Sequence, residues 1–386
     1  MTAVSKVKDP AATAATLVVP MLRALPRPDG EESVKKELSG HSLSAELVNP
    51  LAENSWEKTI TMHRDATIFH STAWARVLAD TYGHRPCYVQ MSLNGSLLAL
   101  VPMMEVQSVL TRSRGICLPF SDYCAPLTFS TFGHELVAQK LQQIARERRW
   151  SYFELRSHSI VPNDVPASES YYGHFLDLRI GPEALISNFS SSVQRAVRKA
   201  QRSGLNVSIQ SSPDAMAQFY ELHVRTRRRH GAPPQPRSFF INIQRHLISS
   251  GFGFIVLVEC QKDPVAAAMF FKLGRHAVYK FGASDERLQE LRGNNFAMFE
   301  AIRYLAEGGA ETLHFGRTER ENQGLRRFKL SWGATEEEIS YARFEMASGF
   351  WKHSRGSRST LHQHIFRALP ASLNKLAGAI IYPHLD

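Results

Sequence analysis

Apolar positions recur along the chain with two periods. Phe296, Phe299, Ile302 and Leu305 fall at helical spacing, which predicts a helix over 296–305. Asn294 or Asn295 can cap its start, and Gly308-Gly309 can end it in a left-handed turn. A short buried strand is expected over 312–315, then a polar loop, then a short element carrying Phe328, Lys329 and Trp332. Nearer the N-terminus, residues 68–81 suit a helix capped by Ser71 or Thr72. Strands over 88–91 and 97–104 flank Asn94-Gly95, a strong two-residue hairpin signal. The stretch 114–127 reads as irregular, with Pro119, Asp122-Tyr123 and Pro126. An amphipathic helix is expected over 134–149 and a strand over 152–155. In the second half, strands are expected over 254–259, 266–273 and 276–283, with Lys262-Asp263-Pro264 as a turn.

The two halves therefore repeat one order: hairpin, helix, further strand. Each closes with a strand followed by arginine and a hydroxyl residue, Arg156-Ser157 and Arg317-Thr318. These lie about 160 residues apart, comparable to one domain. Two related α/β units are expected; chance similarity of two α/β halves is the alternative. Residues 1–55, with Ala-Thr repeats, several prolines and Asp29-Gly-Glu-Glu, read as mostly flexible with at most a short helix. The expected division is a flexible segment 1–55, a first unit 56–190, a second unit 191–345 and a basic tail with an amphipathic helix, 346–386.

Composition bounds the class. At 386 residues, 43% apolar and 10% aromatic, the chain can bury two packed cores. No run reaches the roughly 20 apolar residues of a membrane span. The run from Leu17 to Leu22 is short and broken by Pro20, so no signal peptide is expected and a cytoplasmic location follows. Cys87, Cys117, Cys124 and Cys260 show no CxxC spacing and read as buried thiols rather than a disulfide or metal set. The 16 histidines are scattered without HExxH, so no metal site is expected. No Ser-His-Asp or Cys-His arrangement points to covalent catalysis.

The formal net charge of +10 changes the picture of partners. Nucleic acid, phosphate-bearing substrates and anionic lipid all suit it; so does mere basic composition. Arg195, Arg198, Lys199 and Arg202 fall at i, i+3, i+4 and i+7, so a helix there carries four cations on one stripe. Arg225, Arg227, Arg228 and Arg229 form a second cluster. A solvated face is one reading. A phosphate-bearing ligand or a tRNA acceptor end is the other, favoured because few acids lie nearby in sequence. No aromatic-rich signature accompanies the cations, which disfavours general nucleic-acid binding.

Three blocks carry a family resemblance: Ser191 to Gly204 with its basic helix; His223 to Pro236 with Thr226-Arg-Arg-Arg229 and Gly231-x-Pro-x-Gln-Pro236; and Phe315-Gly-Arg317, Gly324-Leu325 and Phe328-Lys329-x-x-Trp332-Gly333. In this order they resemble the FemAB-like branch of the GNAT acyltransferases, the peptidoglycan interpeptide-bridge enzymes and their relatives. The resemblance covers roughly residues 60–345. It implies an α/β fold of two GNAT-like domains in tandem and transfer of an acyl or aminoacyl group to an amine. Lys329 is then expected to stabilise the oxyanion, and Arg317 to pair with a phosphate or carboxylate. Substrate contacts are expected from Asp122, Tyr123, Arg195, Arg198, Lys199, Arg228 and Trp332, with Gly293 and Asn295 in the donor loop. His314 or His230 can take a proton or serve structure alone. A GNAT donor loop reads Gln/Arg-x-x-Gly-x-Gly/Ala; here Glu290-Leu-Arg-Gly293-Asn-Asn295 departs at both ends. That departure favours aminoacyl-tRNA over acyl-CoA as donor, a co-substrate rather than a bound cofactor. The acceptor implied is a phosphate-bearing or lipid-linked envelope precursor. An acyl-CoA-dependent N-acyltransferase for exopolysaccharide sugars and a non-catalytic binding protein are the alternatives.

Beyond the second unit the chain turns basic, then reads as a helix starting at Pro370. Leu369, Leu373, Leu376 and Ile380 share one stripe. The stripe either packs on the body or lies at the anionic inner face of a membrane.

Overall fold

A computed structural model describes residues 43–130, 134–162, 164–353, 366 and 369–385. The segment expected to be flexible, 1–55, lies partly outside these residues. Its last part forms β1 (Leu43–Val48), paired with residues 88–93, so the flexible reading fails there. In the first unit, α1 (Trp56–Thr61) precedes α2 (Thr72–Tyr82). Ser71 caps α2, its hydroxyl accepting from Trp74 N–H at 3.1 Å. β2 (Arg85–Pro86) leads to the hairpin of β3 (Tyr88–Leu93) and β4 (Ser96–Val101). Asn94 and Gly95 both take positive φ, as that tight turn requires. The stretch read as irregular contains β6 (Arg114–Ile116) and β7 (Leu127–Thr128), with β5 (Met104–Val106) just before it. Pairing with distant strands, not local pattern, makes these short segments extended. The unit ends with α3 (His134–Glu147) and β8 (Tyr152–Leu155), which runs parallel to β6.

The second part holds β9 (Glu169–Asp177), α4 (Pro182–Asn188), α5 (Ser191–Arg202), β10 (Asn206–Gln210), α6 (Pro213–Arg229) and α7 (Arg237–Ile243). Then follow β11 (Gly253–Cys260), β12 (Asp263–Leu273), β13 (His276–Ser284), α8 (Gly293–Glu307), β14 (Thr312–Thr318), α9 (Gln323–Leu330) and β15 (Thr335–Glu345). β13, α8 and a parallel β14 repeat the β6, α3, β8 arrangement of the first unit. Alternation sorts the sheet's two faces. Phe254, Val256, Val258 and Phe270 meet α8 through Phe296, Ala301 and Leu305, while Ile255, Leu257, Met269 and Phe271 join the core shared with the first unit.

The two parts share one sheet, ordered β10-β11-β12-β13-β14-β9-β15-β8-β6-β5-β2, with β16 (Phe350–Trp351) on β15. β15 joins them: residues 335–341 pair with β9 and residues 342–345 with β8. β9 precedes residue 190 in sequence, yet it lies between β14 and β15.

Two irregularities position the site. β13 and β14 pair only from His276↔Thr312 to Val278↔His314, and then diverge. A bulge follows in β14, where Gly316 takes φ +73°, and it sets His314 and Arg317 on one face opposite Phe175 and Gly173. Finally, α10 (Ala371–Ile381) packs on α6. No helix of the described residues is long and apolar enough to cross a membrane.

Candidate active site at the junction of the two units

Asp122 and Tyr123, Arg317, and Lys329 come from three distant stretches, and the fold brings them together where the units meet. Divergence of β13 and β14 leaves a gap, and the loop after β6 enters it. Asp122 accepts from Lys280 Nζ on β13 at 3.0 Å and lies against Gly316 on β14. A Cβ at Gly316 would stand 3.3 Å from the Asp122 carboxylate, so both the positive φ and the close approach demand glycine. Lys280 also donates to the Phe120 carbonyl at 2.6 Å. α9 delivers Lys329, whose Nζ donates to the carbonyls of Gly316 (2.7 Å) and Arg317 (3.1 Å). An ammonium has three donors, so one remains for a ligand.

Aromatic rings of β9 and β15 hold the arginines. The Arg317 guanidinium lies 4.3 Å from the Tyr171 ring centre and donates to Tyr341 Oη at 2.9 Å. Tyr341 in turn donates to the Asp122 carbonyl at 2.6 Å. Arg156, the counterpart of Arg317 in the first half, stands 5.3 Å from the same Tyr341 ring. The repeated arginine-hydroxyl endings thus converge on one tyrosine.

Three buried or half-buried cations, Lys280, Arg317 and Lys329, here meet one carboxylate. Burial alone would raise the Asp122 carboxyl, but Lys280 and Arg317 reverse that and hold it at about 2. Burial draws Lys329 down to about 8, with Lys280 adding and Asp122 opposing. Lys280 is lowered by burial against the pull of Asp122. The surroundings carry excess positive charge in a region of low dielectric, which suits a developing oxyanion.

His314 does not fit the role of proton acceptor. Its Nδ1 accepts from Gly316 N–H at 3.2 Å, and burial pushes its pKa down to about 3. It is a neutral ring with a proton on Nε2. His230 is exposed at the end of α6. A carboxylate that sequence reasoning missed is Glu337 on β15, half-buried and raised by that burial. It makes no hydrogen bond among the described residues, and its charge reaches Tyr123. Lys280 was missed as well, although a lysine inside the apolar strand Ala277 to Phe281 was the signal. Glu337 sits in an acidic run and gave none.

The remaining expected residues lie elsewhere. Trp332 is fully buried with its ring edge-on to Phe189, so it packs the core rather than reaching a ligand. α8 begins at Gly293 without an asparagine cap; Arg292 at φ +64° precedes it and no side chain bonds the first turn. Asn294 instead donates to Ser284 Oγ at 3.1 Å, and Asn295 lies in the first turn. Gly293 is required for packing, since a Cβ would lie 3.0 Å from that of Ala266. The Asn295 N–H bonds the Arg292 carbonyl at 3.0 Å, which leaves the N–H groups of Gly293 and Asn294 to an anion. Arg195, Arg198, Lys199 and Arg202 are all exposed on α5, and Arg228 on α6; no ion pair among the described residues engages them. Arg225 is different: it pairs with Asp285 at 3.4 Å.

Residues 187–330 match the family model described as an acetyltransferase (GNAT) domain. No curated protein sequence matches the chain. Among solved structures, FemX is similar with a TM-score of 0.61 and 14% identity, over 77% of this chain and 96% of that one. The C-terminal domain of a putative lysylphosphatidylglycerol synthetase from Agrobacterium fabrum has a TM-score of 0.50 and 14% identity, covering 75% and 92%. L-PGS from Bacillus licheniformis gives 0.50 and 10%, covering 82% and 96%. At such identities these likenesses speak for the fold, and the domain match speaks for the chemistry. The chain thus carries a GNAT-type acyltransferase domain over residues 187–330, in a fold like that of FemX.

Proposed function

We propose that this acyltransferase moves an acyl or aminoacyl group onto an amine of a phosphate-bearing, lipid-linked cell-envelope precursor of peptidoglycan or polysaccharide. The observation that carries this reading is the junction cluster, where Lys329 is fixed by two carbonyls amid an excess of cations. Lys329 stabilises the tetrahedral oxyanion, and Arg317 orients a phosphate or carboxylate beside it. Glu337 is the group suited to accept the amine proton, because a carboxylate raised by burial is a better base near neutral pH. The exposed cations of α5 and Arg228 gather the phosphates, and Asp122 and Tyr123 contact the acceptor.

Aminoacyl-tRNA is the donor this reading favours. One similar fold bears the name of a putative lysylphosphatidylglycerol synthetase. Acyl-CoA is the second donor. The uncapped first turn of α8 favours it, since it offers N–H groups to a pyrophosphate. A lipid-linked acceptor would place the enzyme at the cytoplasmic face of a membrane. The test is turnover of the purified chain with charged tRNA and with acetyl-CoA, each offered a lipid-linked amino sugar or peptide precursor. Transfer from either donor that disappears in Lys329→Ala supports the reading. No transfer from either donor to either acceptor would reject it.

A further inference from the structure

We infer that the chain docks on an anionic lipid bilayer through one apolar face assembled from two segments far apart in sequence: α10 and the tip of the loop between β5 and β6. This surface stands apart from the acyl-transfer chemistry.

Residues on a helix advance about 100° each. Asn374, Gly378 and Tyr382 therefore share one side, and that side is buried. Its seating is tight: a Cβ at Gly378 would lie 2.0 Å from the Pro234 carbonyl oxygen. Tyr382 Oη donates to the Pro233 carbonyl at 3.1 Å, and Arg227 donates to the same hydroxyl at 3.1 Å. The predicted stripe faces the other way. Leu373, Leu376 and Ile380 are 50%, 56% and 59% exposed. The helix is thus held to the body by its small and polar side, with its large aliphatics turned outward.

The second segment joins at the far end of α10. Ser108 Oγ bonds His384 Nδ1 at 3.0 Å, and the Arg114 guanidinium donates to the His384 carbonyl at 2.8 Å. Ser108 Oγ also accepts the N–H groups of Leu110 and Thr111, which closes the tip into a turn. That turn displays Val109 at 95% and Leu110 at 73% exposure, and Leu385 follows His384 at 41%. Single exposed aliphatics are ordinary, whereas a group of them on pinned segments marks an interaction surface.

Charge selects the occupant. Arg112 is exposed beside Leu110. From Lys352 to Leu385 the sequence carries Lys352, Arg355, Arg358, Arg367 and Lys375 with no acid, and of these Lys375 pairs with Glu221 of α6 at 3.4 Å. A second copy of the chain would bring the same cations against these, whereas anionic headgroups neutralise them. With 11 residues, α10 is too short to span a bilayer and must lie along its surface.

The test is co-sedimentation of the full chain with vesicles of phosphatidylcholine alone and with about a third phosphatidylglycerol. The chain should pellet with the anionic vesicles and be released by salt. One variant carries Leu373→Ser, Leu376→Ser and Ile380→Ser; the other carries Val109→Asp and Leu110→Asp. Each should lower partitioning at least about tenfold with its unfolding midpoint unchanged. If the helix variant does not fold, the tip variant, on a separate segment, decides alone. Failure of the wild type to pellet, or wild-type pelleting by a folded variant, overturns the inference. So does self-association that both variants abolish without any vesicle binding, which would make the face a contact between copies.

Discussion

Two regions of this molecule gather cations, and they do so in opposite ways. At the junction, Lys280, Arg317 and Lys329 are each held by named carbonyls, a carboxylate or tyrosine rings. Along α5, Arg195, Arg198, Lys199 and Arg202 project into solvent without an acidic partner among the described residues. Water screens the second set, so each charge there acts weakly and at long range. Burial leaves the first set unscreened and fixed in place, where its field acts on a reacting atom. The same residue types thus divide into a centre for chemistry and a surface for capture, and burial rather than composition makes the division.

The contrast predicts where charge removal costs stability. Asp122→Asn strands Lys280 without its countercharge and should lower unfolding free energy by about 3–5 kcal/mol, read by denaturant melts. The acid limb gives a second check. The Asp122 carboxyl is depressed from 3.8 to about 2, so its contribution is present above about pH 4 and fades as pH falls toward 2. The variant should lose that limb; an unchanged acid limb would show that the pair contributes little.

Lys329→Ala should cost roughly 10²–10³ in turnover. The carbonyls of Gly316 and Arg317 lose their donor, so a modest loss of stability accompanies it. An equal loss of stability and activity would make Lys329 structural. In the wild type, turnover that depends on the ammonium should fall as pH rises through about 8. Lys329→Arg should move that fall to higher pH. The stability sign is separate: with its pKa lowered from 10.5, folding disfavours the ammonium, so this group adds stability as pH rises from about 8 to 10.5.

Gly316→Ala sharpens the picture of the bulge. Its φ of +73° and the nearby Asp122 carboxylate should together cost about 1–3 kcal/mol, seen in the thermal midpoint. A neutral result would mean that the bulge can flatten.

The smallest effect on stability belongs to α5. Arg198→Glu with Lys199→Glu should leave unfolding within about 0.5 kcal/mol of wild type. Affinity for a phosphate-bearing substrate should fall, and its dependence on salt should flatten. Unchanged affinity across salt would reduce α5 to a solvated face.

Much of the local structure was legible in sequence because it rests on local causes. The turn at Asn94-Gly95 needs positive φ, Ser71 supplies a cap, and Gly309 at φ +71° ends α8 in a left-handed turn. The 3.6-residue period gave α8, and the cation spacing gave the exposed stripe of α5. The family blocks marked Lys329 and Arg317. What the sequence could not decide rests on distant partners. The bond from Tyr341 to Asp122 spans 219 positions, and no period encodes it. Short strands such as β5, β6 and β7 are extended because neighbours hydrogen-bond them, not because of their own pattern. The leucine stripe of α10 was readable as a stripe, but its direction was not. That depended on a glycine meeting the Pro234 carbonyl, a close approach that only the assembled fold creates.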